Sequence, residues 1–247
     1  MFMEPKEETE YRQLVVDGAK TIFAKGLVDF GEGNVSIRVK KTDEFFITPS
    51  QNDYENMKLE DVVQMKCDGT QISKGKPSSS EYRLHAAIYM ARPKAGCVIH
   101  NHSPYASMLA VAGKDLPVLF EEMTTFLGGP VKVAKYGQSG SEDLGKNALE
   151  AMGETNSCFL QSHGVLVCGR DLKGAIKAAT LIEKMSQVYL GAMQLGKAES
   201  IDEKYLPKFK DYFKGLSATY SPPKKVDAKP ESKPEVKPEI KPETKPN

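Results

Sequence analysis

No stretch of about 18 residues in this 247-residue chain is uninterruptedly apolar, the length a helix needs to cross a bilayer. The opening segment MFMEPKEETEYRQ is charged where a secretory leader needs an apolar core. No membrane partner is expected, and the cytoplasm is the expected compartment. An excess of one charge is missing too: 34 Lys and Arg against 33 Asp and Glu leave a formal net charge of +1. That balance provides no broad field to attract a polyanion, so nucleic acid is not an expected partner and any anion recognition has to be local. Cysteine is scarce. Cys67, Cys97, Cys158 and Cys168 lie far apart without a CxxC spacing, and three of them sit in apolar, strand-like contexts, which suits reduced structural thiols rather than a disulfide framework.

What is present divides at about residue 220. Residues 1–220 have ordinary globular composition and enough length for one sizeable core, hence one catalytic domain. From Ser221 the chain becomes Lys-Pro-Glu repeats, and residues 221–247 read as a disordered tail: recurrent proline removes backbone donors, and little apolar surface remains to bury. Within the domain, Leu14, Val15, Ala19, Ile22 and Phe23 fall on one face of an opening helix, and Val35, Ile37 and Val39 alternate as a strand does. GCVIHNH reads as a short strand, SPYASMLAVAG as a helix ending at Gly113, and Asp171 as the cap of a long helix reaching about Gln194. Strands and helices keep alternating, which predicts an α/β fold with helices on both faces of a mixed sheet.

Three histidines carry the clearest chemistry. His100 and His102 are two apart at the end of a strand, so their side chains leave on one face and can grip a single ion. His163 follows another strand and precedes Gly164, whose conformational freedom suits a tight turn presenting the imidazole. Three neutral nitrogens with an open position are what a catalytic zinc site requires. Taken alone, the HxH pair is better explained as two ordinary hydrogen-bonded histidines. Glu81 also has two readings. Ser78-x-x-Glu81 forms a capping box that needs no function; alternatively Glu81 is a metal ligand or proton acceptor, and Ser79 and Ser80 offer hydroxyls and amides to a phosphate at a helix start. His85, one turn on, is either a fourth ligand or a supporting group. Gly31-Glu32-Gly33-Asn34 and Thr48-Pro49-Ser50 are turns by default and anion cradles by alternative.

In order along the chain, GEGNVSIR, FFITPS, GKPSSSEYRLHAAIY, CVIHNHSPYASMLA, FLGGPVKVAKY, GSEDLG and FLQSHGVLVCGRDL resemble the class II aldolase/adducin family over roughly residues 8–195. The resemblance implies a three-layer α/β/α domain around a mixed, largely antiparallel sheet, a homotetramer with active sites between subunits, and Zn2+, Mn2+ or Co2+ on His100, His102 and His163. It further implies that Glu81 completes the metal shell or acts as the base, and that Gly33, Asn34, Ser50, Ser79 and Ser80 hold the phosphate of a small sugar-phosphate substrate. The implied reaction is cleavage of a phosphorylated ketose through a metal-stabilised enediolate, giving dihydroxyacetone phosphate and an aldehyde. Dehydration, decarboxylation or 4-epimerisation would use the same scaffold. Two departures stand out. Where the family's fuculose-phosphate aldolases place a tyrosine, LPVLFEEMTTFLGG offers Glu121 or Glu122, and counting back from Gly128-Gly129 selects Glu122 as the second acid/base. Gln51 replaces a glycine common after the TPS or TPT motif. A non-catalytic adducin-like assembly module is the rival of another class, but adducin heads lack the metal histidines that this chain retains.

Overall fold

The computed structural model describes residues 4–51 and 53–216, and the Lys/Pro/Glu tail lies outside the described residues. Helix α1 (Pro5–Ala24) starts with proline, whose missing N–H is no loss in a first turn. Strands β1 (Asn34–Arg38), β2 (Glu44–Ile47) and β3 (Val63–Lys66) form an antiparallel meander. After α2 (Tyr82–Ala91), β4 (Cys97–Asn101) returns to pair with the far side of β1. Helices α3 (Pro104–Ala112) and α4 (Glu121–Leu127), the short β5 (Val133–Ala134) and α5 (Glu142–Met152) follow. A hairpin of β6 (Ser157–Leu160) and β7 (Gly164–Gly169) then leads into α6 (Leu172–Gln194), and α7 (Pro207–Leu216) closes the described chain.

The strand order is β3-β2-β1-β4-β7-β6-β5, antiparallel at every neighbour except β5 and β6. Alternation along the strands sorts the core into two apolar layers. Val35, Ile37, Cys97, Ile99, Val165 and Val167 pack with residues of α1, α3 and α6; Phe45, Ile47, Val98, Leu166 and Cys168 pack with α2 and α5. These layers make the α/β/α sandwich. No helix among the described residues is long and apolar enough to cross a membrane.

Several boundaries fall where the side chains predict them. Gly113 ends α3 at φ 62°, a left-handed turn glycine adopts without strain. Asp171 Oδ1 accepts the Gly174 amide and opens α6, which ends at Gln194. The start of α2 differs from expectation: the helix begins at Tyr82, and no capping box forms around Ser78. Ser79 Oγ accepts the Glu81 amide at 3.2 Å instead, which leaves the Glu81 carboxylate free to turn inward. Three of the four free cysteines, Cys97, Cys158 and Cys168, are buried in strands, and burial raises their thiol pKa values.

Candidate metal and acid-base site

The site lies where β1, β4 and β7 meet. Asn34 and His100 are cross-strand partners, so their side chains leave the sheet on one face, the face covered by α2. His102 sits just past the end of β4, and its amide donates to the Leu27 carbonyl at 3.2 Å. The following helix α3 is held by a distant carboxylate: Glu183 of α6 accepts the amides of Tyr105 at 3.0 Å and Ala106 at 2.9 Å, a charge on a positive helix end. His163 occupies the three-residue loop between β6 and β7, and its amide donates to the Leu160 carbonyl at 3.0 Å.

Strain in that loop falls on Ser162, which adopts φ 54°, and not on Gly164. Gly164 has a different duty. A Cβ there would stand 2.4 Å from the Asn101 carbonyl oxygen, 2.8 Å from His102 Cδ2 and 3.2 Å from His100 Cε1, so only glycine lets β7 come this close to the two histidines. Gly33 does the same on the other side. It holds φ 66°, and a Cβ would lie 2.4 Å from the His100 carbonyl oxygen. The Tyr54 hydroxyl donates to the Gly33 carbonyl at 2.7 Å, and burial pushes that phenol up to about 12, so it remains a donor.

The reactive groups converge between these backbones. One ligand atom from each of His100, His102 and His163 lies within 4.8 Å of the others. His100 Nδ1 donates to the Val165 carbonyl at 2.9 Å, which leaves Nε2 as the inward lone pair, the tautomer that metal-ligating imidazoles adopt. His100 Nε2 lies 2.9 Å from His102 Nε2, a hydrogen bond when His102 carries its proton on Nε2 and a pair of lone pairs facing one ion when that proton sits on Nδ1. A proton on His100 is disfavoured, because burial pulls its pKa down to about 4, and burial likewise lowers His163. The donor set therefore fits a divalent ion.

Glu81 spans the cluster. Its Oε2 is 3.2 Å from His100 Nε2 and its Oε1 3.2 Å from His163 Nε2. Asn34 Nδ2 donates to Oε2 and Ser139 Oγ to Oε1, both at 3.0 Å. Burial favours the protonated acid, but the two imidazoles and two hydrogen bonds outweigh it and hold the carboxyl below its usual range, so it is an anion at neutral pH. His85 lies behind Asn34: its Nε2 contacts Asn34 Oδ1, and its Nδ1 is 2.6 Å from Ser36 Oγ. Burial pulls His85 down to about 3, so it is a neutral prop for Asn34.

The remaining predicted residues divide. Gly33, Asn34, Ser50 and Ser79 come together because the Ser79 amide donates to Thr48 at 3.1 Å and the Ser50 amide to Pro77 at 3.0 Å. The side chains of Asn34 and Ser79 are turned to one another at 3.1 Å, with Asn34 also serving Glu81. Ser80 is exposed, and its carbonyl lies against Gly140. Glu121 and Glu122 are exposed on the first turn of α4 and make no hydrogen bond or ion pair with the histidines among the described residues. Sequence reasoning missed Ser139 and Tyr54, and it read Glu32 only as part of a turn, whereas its carboxylate stands 3.7 Å from His102 Nδ1. Only proximity in the fold identifies them.

The family described as Class II Aldolase and Adducin N-terminal domain matches residues 13–190. The 5-methylthioribulose-1-phosphate/5-deoxyribulose-1-phosphate aldolase of Rhodospirillum rubrum is 33% identical over 213 residues, which cover 84% of this chain and 95% of that one. The 5-deoxy-D-ribulose 1-phosphate aldolase of Bacillus thuringiensis is 30% identical over 204 residues, covering 83% and 95%. Among solved structures, an L-fuculose 1-phosphate aldolase superposes with a TM-score of 0.79 at 27% identity, covering 83% of this chain and 96% of that one.

Proposed function

This chain belongs to the class II aldolase/adducin family, and from that premise we propose that it is a divalent-metal lyase acting on a small ketose 1-phosphate. The products are dihydroxyacetone phosphate and an aldehyde. One observation carries the reading: an anionic carboxylate, Glu81, lies 3.2 Å from both His100 Nε2 and His163 Nε2. His100, His102 and His163, with Glu81 as an oxygen donor, would hold Zn2+, and Mn2+ or Co2+ suit the same donors. The bound ion supplies a Lewis acid for the negative charge that develops on the substrate oxygens as the bond breaks.

The chain's own groups do the rest. Glu81, oriented by Asn34 and Ser139, takes up one proton from solvent and passes it to the carbon left electron-rich by cleavage, which balances the proton that leaves the substrate hydroxyl. Glu122 removes the proton from the hydroxyl that becomes the aldehyde oxygen. Its exposed place on α4 suits service across a subunit boundary in a homotetramer. Gly33, Asn34, Ser50, Ser79 and Ser80 form the phosphate end, Gly33 and Asn34 offering a close backbone approach and the serines their hydroxyls. The relatives named for 5-deoxyribulose and 5-methylthioribulose 1-phosphates make ketoses with an apolar far end the first substrates to try.

The experiment is a coupled assay for triose phosphate on zinc-replete protein against 5-deoxyribulose, 5-methylthioribulose and fuculose 1-phosphates, with metal content measured on the same sample. Release of dihydroxyacetone phosphate together with stoichiometric metal is expected. Mass spectrometry showing a dehydrated or epimerised product would move the reading to that ending. A native protein without metal and without turnover would favour the assembly module.

A further inference from the structure

A second feature lies at the opposite end of β4 and β7 from the histidines, where Cys97 pairs with Gly169. A cavity of about 310 Å3 opens there between the first turns of α6 and helices α4 and α7. Its charge is one-sided. Lys94, Arg170, Lys173 and Lys177 line it with the buried Arg92, and Asp171 is the lone acidic residue in the wall among the described residues. That carboxylate is already engaged, accepting the Gly174 amide at 2.8 Å as the cap of α6. Arg92 is engaged as well, with the Gly153 carbonyl at 2.8 Å and the Thr155 carbonyl at 2.6 Å.

The rest of the lining is apolar, and the cations lean along it. Lys177 Nζ lies 3.2 Å from the centroid of the Phe126 ring. Arg170 reaches the Leu216 carbonyl at 3.5 Å, and Phe213 of α7 forms the opposite wall. The positive pole of the 23-residue helix α6 adds to the same field. In a chain whose net charge is only +1, Arg170, Lys173 and Lys177 gather three cations at one hollow, a local field that favours an anion. The volume is at the lower end of the roughly 300–1,000 Å3 typical of small-ligand pockets.

We propose that this cavity is a second ligand site that takes a small organic phosphate with a flat apolar body. Arg170, Lys173 and Lys177 hold the phosphate; Phe126 and Phe213 face the body. The proposal does not depend on the lyase reading, since it shares no residue with the histidine site.

The test is calorimetric titration of the full-length protein at low salt with nucleoside monophosphates, alongside inorganic phosphate and adenosine as the separate halves. Expected is one monophosphate bound per chain, at least tenfold more tightly than either half, with affinity falling as salt rises. The double substitution Lys173→Glu, Lys177→Glu weakens it at least tenfold, and the milder Lys173→Gln, Lys177→Gln weakens it less; both side chains are exposed, and thermal melts check that the variants are folded. Ser79→Ala leaves the titration unchanged. No binding by any monophosphate overturns the proposal. So does inorganic phosphate binding as tightly as the nucleotide, or binding that is lost in Ser79→Ala and retained in the lysine variants.

Discussion

The two faces of β4 are equally dry and built to different ends. On one, Cys97 and Ile99 join an apolar layer with α1, α3 and α6. On the other, Val98 shares its face with His100, and toward α2 runs a buried polar seam of Asn34, Ser36, His85 and Tyr89. The seam is tolerated because it is partnered internally: Ser36 Oγ meets His85 Nδ1 at 2.6 Å and the Tyr89 hydroxyl at 2.7 Å, and Asn34 serves Ser79, Glu81 and His85. The apolar face can vary in shape at a cost in stability. The polar face fixes orientation, because removing one partner strands another in a dry environment.

Substitutions on each side of this divide should separate stability from chemistry. His102→Ala is expected to have the largest effect: metal content by mass spectrometry and turnover both fall to background, while the thermal melt of the metal-free protein barely moves. Retained stoichiometric metal would remove His102 from the ligand set. On the other face, Ile99→Ala should cost about 2–5 kcal/mol in urea unfolding, leaving turnover per folded molecule unchanged. If turnover falls along with stability, the two faces are not independent.

The seam also sets a pH dependence. His85 is neutral in the fold, pulled from 6.5 to about 3 by burial, whereas in the unfolded chain it takes a proton below about 6.5. The unfolded state therefore binds more protons across that window, so stability of the metal-free protein falls as pH drops from 6.5 toward 3, by on the order of a few kcal/mol. His100 acts in the same direction. Urea unfolding at neutral and mildly acidic pH should show the loss, and His85→Gln should shrink it. Smaller still is Ser139→Ala: an exposed loop residue whose loss leaves the melt unchanged but lowers kcat by about 10–100-fold, the range for partners that orient a metal-site group, with Ser139→Thr recovering part. Equal loss of stability and kcat would make it merely structural. The smallest effect belongs to Gln51, held at φ 51°, where Gln51→Gly should gain roughly 1 kcal/mol in the same unfolding assay.

Local signals exposed much of this to sequence reading. Asp171 and Gly113 act through their immediate neighbours, so their roles follow from a few residues of context, whereas the i, i+2 spacing predicts only that His100 and His102 share a face. Glu81 was ambiguous for the same reason: a capping box and an inward carboxylate share one spacing, and only the shift of α2 to Tyr82 separates them. Gly164 was recognised as special for its φ, but what demands glycine there is the approach of a strand distant in sequence. Ser139 and Tyr54 gave no signal at all, being ordinary loop residues until the fold places them against Glu81 and Gly33. Glu122 reflects a further limit, since nothing within one chain gives it a partner among the described residues.

The histidine trio also orders events in time. His100 and His102 emerge early from the ribosome, but His163 comes just before β7, the strand that fills the gap between β4 and β6. A growing chain thus holds only two of the three imidazoles until its central sheet is nearly complete, and two give a weak grip. Ion uptake at the proposed site would therefore be a late step that rewards finished topology, adding its binding free energy to the folded chain alone.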